Sequence, residues 1–108
     1  MSYTIKELPV TERPRERLKE IGPENLSDKE LLAIILKTGT KNKNVTELAL
    51  ELIKKYPISS LKDISLPALK NIKGIGETKA IELLATIELG KRIFLMPTKA
   101  DMDTVELQ

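Results

Sequence analysis

The feature that most constrains this chain is a pair of glycines on either side of one isoleucine, Gly74-Ile75-Gly76, between two stretches with helical patterning. Glycine adopts positive φ without the Cβ penalty of other residues, so Gly74 and Gly76 can both do so and form a very tight turn. We expect Ile75 to point inward and fill the angle between a short helix before the turn and a longer helix after it.

The same turn predicts an anion site. The first backbone N–H groups of the following helix are unpaired and lie at the positive end of its dipole, which favours a phosphate. The spacing of the glycines, with the small Ala80 after them, resembles the helix-hairpin-helix motif, whose members hold a DNA backbone phosphate through the turn amides. This resemblance implies phosphate contacts from Lys73, Gly74, Ile75, Gly76, Thr78 and Lys79. The alternatives are a purely structural corner for the turn and an ordinary solvated helix face for the two lysines, and Glu77 weighs against tight binding by placing a carboxylate in the same field.

Composition excludes several classes of function. The chain has 108 residues, which is enough for one small domain, and it contains neither Cys nor His. A disulfide scaffold, a thiolate or histidine metal site and a catalytic Ser-His or Cys-His pair are therefore excluded. We expect no metal, no cofactor and no enzymatic activity in this chain itself. Because no segment resembles a signal peptide or a membrane span, a cytoplasmic location without membrane contact is expected.

The charge is unevenly distributed. The chain has 18 basic and 16 acidic residues, but Lys37, Lys41 and Lys43 form a run with no acid between them, and the last ten residues are acidic. The remainder is therefore more basic than the net charge of +2 indicates. Aromatic residues make up only 3% of the chain, which argues against a single-strand binder that stacks bases.

Cap residues and helix stops predict an all-α chain, a compact bundle of about five or six short helices within residues 11–95. Residues 1–10 are predicted to be extended, and residues 96–108 to form a linker or disordered tail. The predicted caps are Thr11 for a helix that ends at Ile21 before Gly22-Pro23, Ser27 with Glu30 as a capping box, Asn44, Ser60 for a short helix around Leu61–Ile64, and Ser65 for one around Leu66–Asn71.

Two further helical features follow from spacing. Arginines alternate with glutamates over residues 12–20, which predicts ion pairs within the first helix. The last helix is predicted from Glu77 to about Leu95, where Pro97 follows. The side chains predicted to face inward from this helix are Ala80, Leu83, Leu84, Ile87 and Phe94.

The chain contains a second segment that resembles the Gly74-Ile75-Gly76 turn. Residues 38–43 join two predicted helices as residues 73–76 do, but Thr40 stands where the inward aliphatic residue would be, and Asn42 is the candidate for a second positive φ. We therefore predict a degenerate first hairpin packed against a complete second one. The secondary phosphate candidates are Thr38, Gly39, Thr40, Lys41 and Lys43, and a solvated turn is the alternative for this segment.

A more specific resemblance covers about residues 4–95. The matching segments are Leu8-Pro9, Glu12-Arg13-Pro14-Arg15-Glu16-Arg17-Leu18, Gly22-Pro23, Leu26-Ser27-Asp28, Glu30-Leu31-Leu32-Ala33, Thr38-Gly39-Thr40-Lys41, Leu48-Ala49 and Lys73-Gly74-Ile75-Gly76. They resemble the N-terminal part of the RadC (UPF0758-type) family, whose members have long carried a DNA-repair label. In that family a metal-dependent domain of the JAB/MPN type follows, with a paired His-x-His and an acid. The resemblance implies that this chain is an isolated N-terminal module, with that domain as its partner.

Two hypotheses follow. The first is a weak, sequence-nonspecific module that binds the backbone of double-stranded DNA. The second is a protein-interaction or scaffold module that docks a partner or the metal-dependent hydrolase domain, favoured by the near-neutral charge, Glu77 and the acidic tail. The sequence does not determine the oligomeric state.

Overall fold

The computed structural model describes residues 8–9, 12–97 and 99–100. Within these ranges the chain is all-helical and contains no strand, as predicted. The elements are α1 (Pro14–Ile21), a 3-10 turn (Pro23–Asn25), α2 (Asp28–Leu36), α3 (Val45–Lys55), α4 (Ile58–Leu61), α5 (Leu66–Lys70) and α6 (Glu77–Leu95). The predicted Thr11 cap, most of the predicted N-terminal extended segment and most of the predicted tail lie outside the described residues.

Side-chain caps begin three of these helices. The Ser27 hydroxyl accepts from the Glu30 backbone N–H at 3.4 Å, and a Glu30 carboxylate oxygen accepts from the Ser27 N–H at 3.1 Å, so the capping box is confirmed. Asn44 and Ser65 begin α3 and α5 in the same way, each accepting from the backbone N–H three residues later, at 2.8 and 3.2 Å. These predictions are correct because each cap depends only on residues within one turn.

The predicted cap at Ser60 is wrong. Helix α4 begins one turn earlier, with Pro57 at its N-cap, and Ser60 lies inside it. The Ser60 N–H donates to the Pro57 carbonyl at 2.8 Å, which closes the turn without a side-chain cap. The early start places Leu61, only 6% exposed, in the core at the end of this short helix.

Helix α2 is the central element. It packs against α1, α3 and α6, and α5 packs against α6. The apolar residues that these contacts bury form one cluster, as expected for a small domain with a single core. Its members are Leu32, Ala33, Leu36, Val45, Leu48, Ala49, Leu52, Leu61, Leu69, Ile72, Ile75, Ala80 and Leu83.

An ion pair joins α1 to α2. The Arg17 Nε atom lies 2.6 Å from a carboxylate oxygen of Glu30, so for Arg17 the prediction of a partner within its own helix is wrong. Burial alone would raise the pKa of Glu30. The hydrogen bonds from the Ser27 backbone and from Arg17 outweigh it, and the pKa is lowered from 4.5.

The inward position predicted for Phe94 is also wrong, because its side chain is 89% exposed. Helix α6 buries Ala80 and Leu83, and Leu84 and Ile87 are partly buried against the core. The remaining turns extend past the other helices. Periodicity placed Phe94 on the inward face but could not show where the neighbouring helices end.

Candidate nucleic-acid interface

The turn before α6 buries Ile75 between the helices, as predicted, and it has a positive φ at the first of its two glycines. Gly74 has φ of +98°, and Ile75 is 2% exposed, with its N–H donating to the Ile72 carbonyl at 3.0 Å. Gly76 instead has φ of −84°, so the positive φ that a glycine permits is not used there. Gly76 is the extended N-cap of α6, and one left-handed residue is enough to reverse the chain.

Gly74 also lies at a contact between two helix pairs, α2 with α3 (the first pair) and α5 with α6 (the second pair). A Cβ built at Gly74 would lie 2.6 Å from the Thr40 methyl carbon and 3.0 Å from a methyl carbon of Leu48. The second turn therefore packs directly on the loop and the helix of the first pair. This contact fixes the position of the turn relative to the core.

The first turn of α6 is open to solvent. Gly76, Glu77 and Thr78 are exposed, and the N-cap glycine has no side chain that could accept from the helix amides. The first bond of the helix runs from the Ala80 N–H to the Gly76 carbonyl at 3.0 Å. The N–H groups of the three residues between them have no partner inside the helix, which is the geometry of an anion site.

The cations predicted around this turn have different surroundings. Lys73 is exposed and forms no ion pair with any described residue. The Lys79 ammonium donates to the Leu36 carbonyl at 2.8 Å and to the Thr38 hydroxyl at 2.7 Å, so it binds the C-terminal end of α2. Lys73 is therefore the cation that is free to meet a ligand.

Glu77, whose carboxylate disfavours phosphate binding at this turn, is paired with a lysine. A carboxylate oxygen of Glu77 lies 3.7 Å from the Lys70 ammonium, which comes from the helix before the turn. Both side chains are well exposed, so the pair is weak. It nevertheless draws the carboxylate towards α5.

The turn between α2 and α3, residues 38–43, is the first of the two predicted hairpin turns, and it uses most of its polar groups internally. The Thr40 hydroxyl accepts from the N–H groups of Asn42 and Lys43 at 3.3 and 3.1 Å, and the Thr38 hydroxyl accepts from Lys79. A Cβ at Gly39 would collide with the Lys43 carbonyl, so the chain folds tightly back on itself here. The secondary candidates thus form a closed loop rather than an open row of donors.

Two predictions for this turn are wrong. The positive φ lies at Lys37, with φ of 71°, and not at Asn42. The lysine run is also largely neutralised, because Lys37 pairs with Glu82 of α6 at 3.3 Å and Lys43 pairs with Glu51 of α3. Of the three lysines, only Lys41 forms no ion pair with the described residues.

Sequence reasoning missed a group of lysines at the end of α3. Lys54 and Lys55 line a cavity of about 450 Å³ together with residues of the second turn, Lys73 among them. Adjacent lysines near a helix C-terminus were the available signal, but their ordinary role is to offset the helix dipole. Only the fold shows that Lys73 joins them.

The described part of the chain lacks two other kinds of feature. No group of three or more acidic side chains lies where it could hold a metal ion. No helix in these ranges is long and apolar enough to cross a membrane.

The fold and the open turn define a small all-α domain whose described residues form six α-helices. The sequence model of the UPF0758 N-terminal family matches residues 5–81, and the chain belongs to this family. No solved structure matches it.

The relatives are longer proteins. A UPF0758 protein of Geobacillus kaustophilus is 50% identical over 94 residues, which cover 86% of this chain and 42% of the relative. The UPF0758 protein YsxA of Bacillus subtilis is 48% identical over 90 residues, 82% of this chain and 39% of the relative. One from Clostridium botulinum is 52% identical over 92 residues, 84% and 40% respectively. The chain thus spans about two fifths of the length of these relatives.

Proposed function

We propose that this domain binds the phosphate backbone of double-stranded DNA through the first turn of α6, without sequence preference. The observation that carries the proposal is an exposed helix N-terminus with no side-chain cap, held by a turn whose Ile75 plug is 2% exposed. Such a terminus presents N–H donors and a positive dipole to an oxyanion. Its 19-residue helix is anchored in the core by Ala80 and Leu83.

The charges near the turn support a phosphate ligand of modest affinity. Lys73 stands directly before Gly74 with no partner among the described residues, and Lys70 offsets the carboxylate of Glu77. A site that neutralises about two or three phosphates gives weak binding. The logarithm of its association constant falls linearly with the logarithm of the salt concentration, with a slope of roughly −2 to −3.

The same surface supports binding without sequence preference. Glu77 and Thr78 are exposed in the first turn of α6, followed by Ile81, which is 54% exposed. Sequence readout in the major groove relies chiefly on Arg, Asn or Gln side chains that make two hydrogen bonds to one base. None of these three residues has that chemistry.

The test is an amide NMR titration of the chain with a short random-sequence duplex at 20 and 150 mM salt. We expect shifts at residues 73–80 that fade at the higher salt. Thr78→Glu should weaken binding at least tenfold while keeping the helix, because an added carboxylate is favourable at a helix N-terminus but repels phosphate. Ser59→Glu, the same charge change at an exposed position in α4, should bind as the wild type does. Absence of shifts at 20 mM salt, or binding that ignores salt, would refute the proposal.

A second proposal is favoured by a separate observation, the apolar end of α6. Leu89, Ile93, Phe94 and Leu95 are 60 to 89% exposed, and large exposed apolar surfaces are typical of interaction sites. We propose that this end docks a protein partner. The candidate partner is the remainder of a longer UPF0758 protein, which the RadC resemblance implies is a JAB/MPN-type domain. Sedimentation of the chain with that remainder of the Bacillus subtilis relative should show a complex that Phe94→Asp removes, and no complex at micromolar concentration would contradict docking.

A further inference from the structure

A basic cleft lies beside the proposed phosphate site. The C-terminal end of α3 contributes Lys54 and Lys55 to it, and the second turn contributes Asn71 and Lys73. Ile72, which is 6% exposed, belongs to the core cluster and also lines this cleft. With a volume of about 450 Å³, this lysine cleft has room for a phosphate group and its attached sugar.

The lysine cleft has an excess of positive charge. Its lining contains three lysines and one acid, Glu51, and that acid is paired with Lys43. No lysine of the cleft forms an ion pair with a described residue, and Lys55 contacts the Tyr56 ring at 6.0 Å from its centroid. Three cations that line one cleft, where the single acid is already paired, favour a negatively charged ligand.

The ordinary role of terminal lysines accounts for only part of this arrangement. Lys54 and Lys55 lie in the last turn of α3, where cations stabilise the helix dipole. That role does not require Lys73, which comes from a different element. Nor does it require Asn71, whose side-chain amide can donate two hydrogen bonds to an oxyanion.

We propose that the lysine cleft binds a further phosphate of the same DNA duplex whose backbone meets the first turn of α6. This inference rests on the proposed function. Lys73 connects the two positions, because it lines the cleft and directly precedes Gly74. The cleft therefore extends the DNA interface from the turn across the end of α3.

The test compares two double variants with equal charge loss in a fluorescence anisotropy titration against a labelled duplex. Lys54→Gln/Lys55→Gln removes cations of the cleft, and Lys29→Gln/Lys91→Gln removes two outside it. We expect the cleft variant to reduce the salt slope by about 0.9 for each phosphate that it no longer neutralises. Its affinity at 50 mM salt should fall at least fivefold below that of the control variant.

The outcomes separate this inference from the proposed function. If the wild type binds no duplex, the proposed function fails, and the inference fails with it. If the wild type binds and Thr78→Glu weakens it, but the cleft variant matches the control, only the inference is overturned. A parallel NMR titration of the wild type with inorganic phosphate tests a different ligand. If residues 54, 55, 71 and 73 shift in it, and the cleft variant still binds DNA as the control does, the ligand of the cleft is free phosphate. That result also overturns the inference.

Discussion

Replacing Gly74 with alanine tests the contact that positions the candidate site. Alanine normally stabilises a chain relative to glycine by about 0.4–1 kcal/mol, because it restricts the unfolded state. At Gly74 the sign should reverse. A φ of +98° strains an L-residue by about 1–2 kcal/mol. The new Cβ would lie 2.6 Å from the Thr40 methyl carbon and 3.0 Å from the fully buried side chain of Leu48, and such overpacking costs about 1–3 kcal/mol. We expect a net loss of about 2–4 kcal/mol.

Gly76→Ala is the matched control. Its φ of −84° is ordinary for alanine, and an added Cβ meets nothing within 4 Å. The loss of a favourable N-cap residue and the gain in unfolded-state entropy oppose each other, so stability should stay within about 1 kcal/mol of the wild type. Urea unfolding followed by far-ultraviolet circular dichroism measures both variants. If the two variants unfold at the same urea concentration, the packing of Gly74 against the first helix pair is not what positions the turn.

Two other predictions concern the core and the capping box. Glu30→Gln should destabilise the chain by about 1–2 kcal/mol at pH 7. Because the pKa of Glu30 is lowered from 4.5 in the folded chain, its contribution is present above that value and is lost as pH falls through the folded pKa. Urea unfolding should therefore show the difference from the wild type narrowing towards pH 3, and a constant difference would contradict this. Phe94→Ala should change the free energy of unfolding by less than about 0.5 kcal/mol because the ring is 89% exposed, whereas Leu69→Ala should cost about 2–5 kcal/mol. A large loss at Phe94 in thermal or urea unfolding would show that the end of α6 is packed.

The parts of the fold that the sequence predicts are those determined within one helical turn. Ser27 and Glu30 are three residues apart and form the capping box wherever the chain goes next. Ile75 lies between two glycines, and when the chain reverses at them its side chain faces the interior. The start of α6 at Glu77 follows from the same turn.

The charges of the candidate site could not be predicted in this way. Lys37 meets Glu82 across 45 residues of sequence, and Lys79 reaches the C-terminal end of α2 across 43. These partners depend on how α6 packs on α2. A run of lysines without a neighbouring acid therefore indicates little about the free charge on the folded surface, and the lysine cleft escaped prediction for the same reason.

The two turns differ in what they leave open, and the difference has a structural cause. Lys79 of the second pair donates to Thr38 of the first turn, and Gly74 packs against Thr40. The second pair thus supplies contacts that close the first turn, whose hydroxyls are then used internally. The turn between α2 and α3 in return packs against Gly74, and the start of α6 beyond it is exposed and has no side-chain cap. This division of roles makes the second turn, together with the lysine cleft beside it, the surface on which a phosphate ligand should be sought.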